Sequence, residues 1–98
     1  MAGRINHRGW IVIESISSDD SGLCVDFFND PAGGFGFEHL RADPEDGGRW
    51  TAIGGYSGAR YETGLAAAAA ALEAVHWLGR DVAASRAFAQ WKARLESA

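Results

Sequence analysis

Cysteine is almost missing from this chain. Cys24 stands alone, which excludes an intramolecular disulfide and the stapled scaffold of a small secreted protein. Proline occurs only twice, at Pro31 and Pro44, both in segments that read as turns. Bases are outnumbered, 9 against 13 acids, for a formal net charge of −4. That sign opposes direct binding to a nucleic-acid backbone. No apolar signal region follows the basic residues of the first eight positions. The longest apolar run is built on alanine and is too short to cross a bilayer. These shortages predict a cytoplasmic protein that contacts neither membrane nor nucleic acid directly. No cofactor is implied.

What is present points to one small globular domain spanning residues 1–98. A hydrophobic fraction of 47% and four tryptophans are ample for a modest core. The dominant stretch is Gly64 to Gly79, with an unbroken run of six alanines from Ala66 to Ala71. Alanine has the best helix propensity, so the main helix is predicted over 64–78. Leu65, Ala68, Leu72, Val75 and Gly79 recur at helical spacing as its apolar stripe. Thr63 is the expected N-cap and Gly79 the expected stop.

The strands are predicted upstream, within residues 10–53, after a poorly ordered lead-in over 1–8. Trp10–Ile16, Leu23–Phe28 and Phe35–Arg41 are rich in β-branched and aromatic residues and are bounded by turn residues. Arg49–Ile53 reads as a short fourth strand. A second helix is expected over 81–96, capped by Asp81, with Ala84, Phe88, Trp91 and Leu95 as its inner stripe. The fold class is therefore α+β: an antiparallel three- to four-stranded meander, a long alanine-rich helix on one face, and a C-terminal helix.

Catalytic constellations are sought and none is predicted. Gly54-Gly55-Tyr56-Ser57-Gly58 ahead of a helix suggests a phosphate loop, but the lysine and hydroxyl of that motif are missing. A flexible connection is the preferred reading. His7, His39 and His76 are scattered, with no metal-ligand spacing. Cys24 and His39 lie on neighbouring strands and make a conceivable thiol–base pair. The alternative is a buried free cysteine. Asp26 and Glu38 make a conceivable acid–base pair. The preferred expectation is that both point into solvent from an uncovered sheet face. The protein is read as non-enzymatic.

Charge is unevenly spread: residues 1–48 carry −6 and residues 49–98 carry +2. Asp19, Asp20, Asp30, Asp43, Glu45 and Asp46 all fall in predicted turns. Gathered along an edge, they would steer a basic protein surface, or stand in for phosphates on a nucleic-acid-binding protein. Phe35, Phe37, Trp50 and Tyr56 form a candidate aromatic patch for the same partner. Phe88, Trp91 and Leu95 are candidates for self-association into a homodimer.

Val25-Asp26-Phe27-Phe28-Asn29-Asp30-Pro31, together with Tyr61-Glu62-Thr63-Gly64-Leu65 leading into the alanines, resembles the HicB antitoxin family. The resemblance spans under half of the chain, and the insertion from Gly34 to Gly58 departs from that family. It implies a small sheet with an alanine-rich helix, serving as an inhibitor of another protein. In size and charge the chain is similar to small phage and mobile-element proteins such as anti-CRISPR inhibitors. The expected function is a non-catalytic, acidic protein-binding module of inhibitor or antitoxin type. The alternatives are a small-ligand binder or enzyme using the Gly54–Gly58 loop with Cys24, His39 or Tyr61, and a self-associating structural protein.

Overall fold

A computed structural model describes residues 4–6 and 8–97, with the side chain of Asp46 outside the description. Five antiparallel strands form one meander in sequence order: β1 (Arg4–Ile5), β2 (Ile11–Ser17), β3 (Leu23–Asn29), β4 (Phe35–Asp43) and β5 (Arg49–Ile53). Three helices follow: α1 (Gly64–Ala74), α2 (Trp77–Arg80) and α3 (Val82–Ser97). The α+β class is as expected. No helix among the described residues is long and apolar enough to cross a membrane.

The extra strand comes from the lead-in, which is ordered from Arg4 to Asn6. Arg4 and Ile5 pair with Val12 and Ile11. The hairpin is held locally, because Asn6 Oδ1 accepts from the amides of Arg8 and Trp10, both at 3.0 Å. An asparagine able to bond its own backbone turn is the signal for it.

The main helix is shorter than expected. It ends at Ala74, and Val75 is extended (φ −110°, ψ 91°). On one continuous helix Val75 and Trp77 would stand about 200° apart. The break lets Val75 and Leu78 bury while the Trp77 indole donates to His39 Nε2 at 3.0 Å. Thr63 caps as expected, its hydroxyl accepting from the Ala66 amide at 3.0 Å. Gly79 lies inside α2 rather than stopping α1.

The inner stripe also differs from the expected one. Gly64, Ala67, Ala68 and Ala71 are buried, whereas Leu72 is 40% exposed. Methyl-sized side chains let α1 lie close on the sheet, where a leucine face would hold it off. α3 follows expectation: Asp81 accepts from the Ala84 amide, and Ala84, Phe88 and Trp91 are buried with Leu95 packed beside them.

These helices cover one face of the sheet. The core joins Ile16, Val25, Phe27 and Phe37 to the inner residues of all three helices, with Phe27 and Trp91 ring centroids 4.2 Å apart. Phe88 and Trp91 are thus consumed inside their own domain rather than presented for self-association.

Candidate functional site

Period-2 alternation on a sheet leaves a second face. The central register is Cys24 against Leu40, Asp26 against Glu38, and Phe28 against Gly36. Ser15 pairs with Asp26 and Ser17 with Cys24 on β2, and Trp50 follows Leu40 on β5 through its pairing with Ala42. No helix among the described residues lies over this face.

One end of the open face is closed. Trp10 stacks on Phe28 at 4.2 Å between centroids, and the Arg60 guanidinium lies 4.6 Å from the Trp10 ring and 4.9 Å from the Phe28 ring. Phe28 is therefore buried on a face without helices. Gly36 makes room for it, since a Cβ there would stand 2.5 Å from Phe28 Cζ.

The other end opens into a cavity of about 460 Å³. Its floor is Cys24, Asp26, Glu38 and Leu40, while Arg4, Asn6, Ser15, Ser17 and Trp50 form the sides. That volume is typical of small-ligand pockets. Asp26 and Glu38 are only 6% and 5% exposed, so the expectation that both point into solvent is overturned. The curl of the sheet and the β1 hairpin enclose them.

The two carboxylates are treated differently. Asp26 Oδ2 accepts from Arg4 Nη2 at 3.0 Å, and Oδ1 accepts from Ser15 Oγ at 2.6 Å. Glu38 Oε2 is buried without a hydrogen-bond donor among the described residues. Its nearest cation is Arg8 Nη2, at 3.9 Å. Arg8 is otherwise engaged, donating to Ser57 Oγ at 3.4 Å with its guanidinium 5.1 Å from the Trp10 ring. A buried carboxylate oxygen without a donor is costly and calls for an explanation.

The thiol–base pair is not assembled. Cys24 faces the cavity, whereas His39 lies on the covered face and accepts from Trp77. Burial, followed by the charge of Asp26, pushes the Cys24 thiol up to about 12, so it is not a thiolate at neutral pH. Burial also pulls the His39 pKa down. The Gly54–Gly58 loop does not border the cavity, and of Cys24, His39 and Tyr61 only Cys24 lines it. The loop braces β4 instead: Tyr56 stacks on Phe37 at 5.2 Å, and Tyr61 bridges to Phe35. Among the described residues, no three His, Cys, Asp or Glu side chains converge on a metal position.

The acidic turns are not a single rim. Meander topology puts Asp30 at one end and Asp19, Asp20, Asp43 and Glu45 at the other. Asp19 accepts from the Ala83 amide at the start of α3, and its own amide donates to Asp81 at 2.9 Å. Amide bonds hold the Asp20, Asp30 and Asp81 carboxyls below their usual value, chiefly from Gly22, Ala32 and Asp19 respectively. Asp30 is further paired with Arg60 at 3.0 Å. Asp43 accepts from the Glu45 amide at 3.0 Å, and Glu45 is exposed. The expected role of the Asp46 side chain falls outside the described residues.

The aromatic patch is divided as well. Phe37 is buried in the core with Tyr56 against it, Phe35 is half-buried, and Trp50 stands on the opposite face at 46% exposure, on the cavity's rim. Sequence reasoning missed Arg4, Asn6, Ser15, Ser17 and Leu40. The signal for the serines is their alternation with Glu14 and Ile16, which places both hydroxyls on the face of Asp26 once register is known.

No protein-family model matches the chain, and neither a curated protein nor a solved structure matches it significantly.

Proposed function

We propose that this chain is a non-catalytic binding protein whose ligand seats in the open-face cavity. The observation carrying this reading is the pair of buried carboxylates on the cavity floor, one of them with an oxygen that has no hydrogen-bond donor among the described residues. A fold that maintains such a group gives up stability, and that cost is typical of positions kept for recognition. A non-catalytic role is supported by the chemistry of the walls. The thiol is held protonated, and the histidine expected to serve as its base is on the other face.

Trp50 favours a second form of the same reading, in which a partner protein carries the inserted group. It is a large exposed aromatic on the rim, one turn from the exposed Glu45. Tryptophan in that setting is a typical anchor at protein interfaces. This form retains the inhibitor- or antitoxin-like role, with the open face, rather than the acidic turns, as the contact surface.

Amide chemical shifts of the labelled protein test the reading, using butylammonium, butanol and butyrate as probes of one stem and three charges. Shifts confined to the floor strands and the Trp50 indole support it. Shifts scattered over the helices, or none from any probe, overturn it.

A further inference from the structure

We infer that the cavity recognises a primary ammonium carried on a short apolar stem. This rests on the reading above that the cavity is the binding site.

The charge left over in the walls is negative, two carboxylates, Asp26 and Glu38, against one guanidinium, Arg4. Glu38 lines the cavity with a side chain that is 6% exposed, and its Oε2, closed off from solvent, has no hydrogen-bond donor among the described residues. Ser15 has spent its hydrogen on Asp26, so its oxygen retains only accepting capacity toward a ligand. Asn6 has its carbonyl oxygen occupied by two backbone amides, which leaves its Nδ2 group as a neutral donor. The one guanidinium lining the cavity, Arg4, is held by Asp26. The charged group left to answer is the Glu38 carboxylate, so the complementary group is a cation that donates to it. Ammonium has three donors and no acceptor, and its charge matches the carboxylate.

The stem follows from the remaining wall. Leu40 and the indole of Trp50 lie side by side on the same face, between the buried carboxylate and the rim. An alkyl chain of a few carbons can lie along them with its charged end at Glu38, as a lysine side chain buries its stem. An anionic ligand would meet Asp26 and Glu38, and the lining's guanidinium among the described residues, Arg4, is already paired with Asp26. Arg8, the other base near Glu38, stops at 3.9 Å and is engaged by Ser57 and Trp10.

The same ammonium can come from a free amine or from the lysine of a partner protein. Butylammonium and Nα-acetyl-lysine amide distinguish the two, since only the second carries a peptide backbone for the rim to grip. Tighter binding of the lysine derivative assigns the ligand to a partner protein, and tighter binding of butylammonium assigns it to a free amine.

Affinities are measured from amide and indole shifts on the folded protein. Butylammonium is expected to bind about tenfold more tightly than butanol, with butyrate weaker than both. Glu38→Gln should remove that tenfold preference. Trp50→Ala, a rim change that leaves the floor intact, should weaken butylammonium about threefold. If butanol or butyrate moves the cavity resonances as strongly as butylammonium, the ammonium assignment is overturned while the cavity remains the binding site. If no probe moves them, both are overturned. A preference for butylammonium that survives Glu38→Gln also overturns the assignment.

Discussion

Asp26 and Glu38 face each other directly across β3 and β4, both buried, yet only Asp26 is supplied with donors. Like charges directly opposite on a sheet are destabilising, and a designed core would not place them there. The β1 hairpin brings Arg4 and closes the side of the cavity. Arg4 bonds Asp26 at 3.0 Å, whereas Glu38 has Arg8 only at 3.9 Å, beyond hydrogen-bond reach.

Ser15 is the neutral partner of Asp26. Ser15→Ala removes a 2.6 Å bond to a buried carboxylate and should cost about 1 kcal/mol. Urea denaturation would show a lower midpoint with an unchanged slope. An unchanged midpoint would mean that Asp26 does not depend on this hydroxyl.

Gly36→Ala should be costlier than an ordinary strand substitution. Its Cβ would stand 2.5 Å from Phe28 Cζ and 3.1 Å from the Ala59 carbonyl oxygen. Phe28 is pinned by Trp10, so the expected loss is about 1–3 kcal/mol. Restoring stability with Phe28→Leu in the same chain would confirm the clash as its cause.

His39 is kept neutral in the fold, with its pKa pulled below the usual 6.5 by burial while Nε2 accepts from Trp77. The unfolded chain then binds the proton more readily than the folded one. Stability is full above pH 6.5 and declines as pH falls through that value toward the lower folded one. Denaturation midpoints between about pH 8 and 5 should show the decline. A midpoint independent of pH across that range would contradict this account of His39.

Trp91→Ala tests where the C-terminal stripe is spent. Trp91 is buried against Phe27 in the same chain, so the variant should lose about 3–5 kcal/mol. Sedimentation of the parent protein should give one mass regardless of dilution if this stripe is not holding two copies together. A dimer that dissociates in the folded Trp91→Ala variant would show the opposite.

The sequence was most legible where periodicity and chemistry agreed. The expected strands Leu23–Phe28 and Phe35–Arg41 lie within β3 and β4, and Asp81 and Thr63 cap the helices they precede. The alanine tract was legible as a helix but not as a face. Six identical small residues point in every direction, so the leucines marked the wrong side. The cavity was hidden for a different reason. Asp26 and Glu38 read as solvent-facing because nothing local says that the edge strand bearing Arg4 will fold over them. Asp26 takes its guanidinium partner, Arg4, from 22 positions away. The acidic turns misled in the same way, since a capping aspartate and a free one are identical in sequence.

Glu38→Gln bears most directly on the central claim. The amide can donate where the carboxylate cannot, and it ends the confrontation with Asp26. The account predicts a denaturation midpoint raised by on the order of 1 kcal/mol, together with loss of the butylammonium preference. A variant less stable than the parent, or one that still prefers the ammonium, would contradict it.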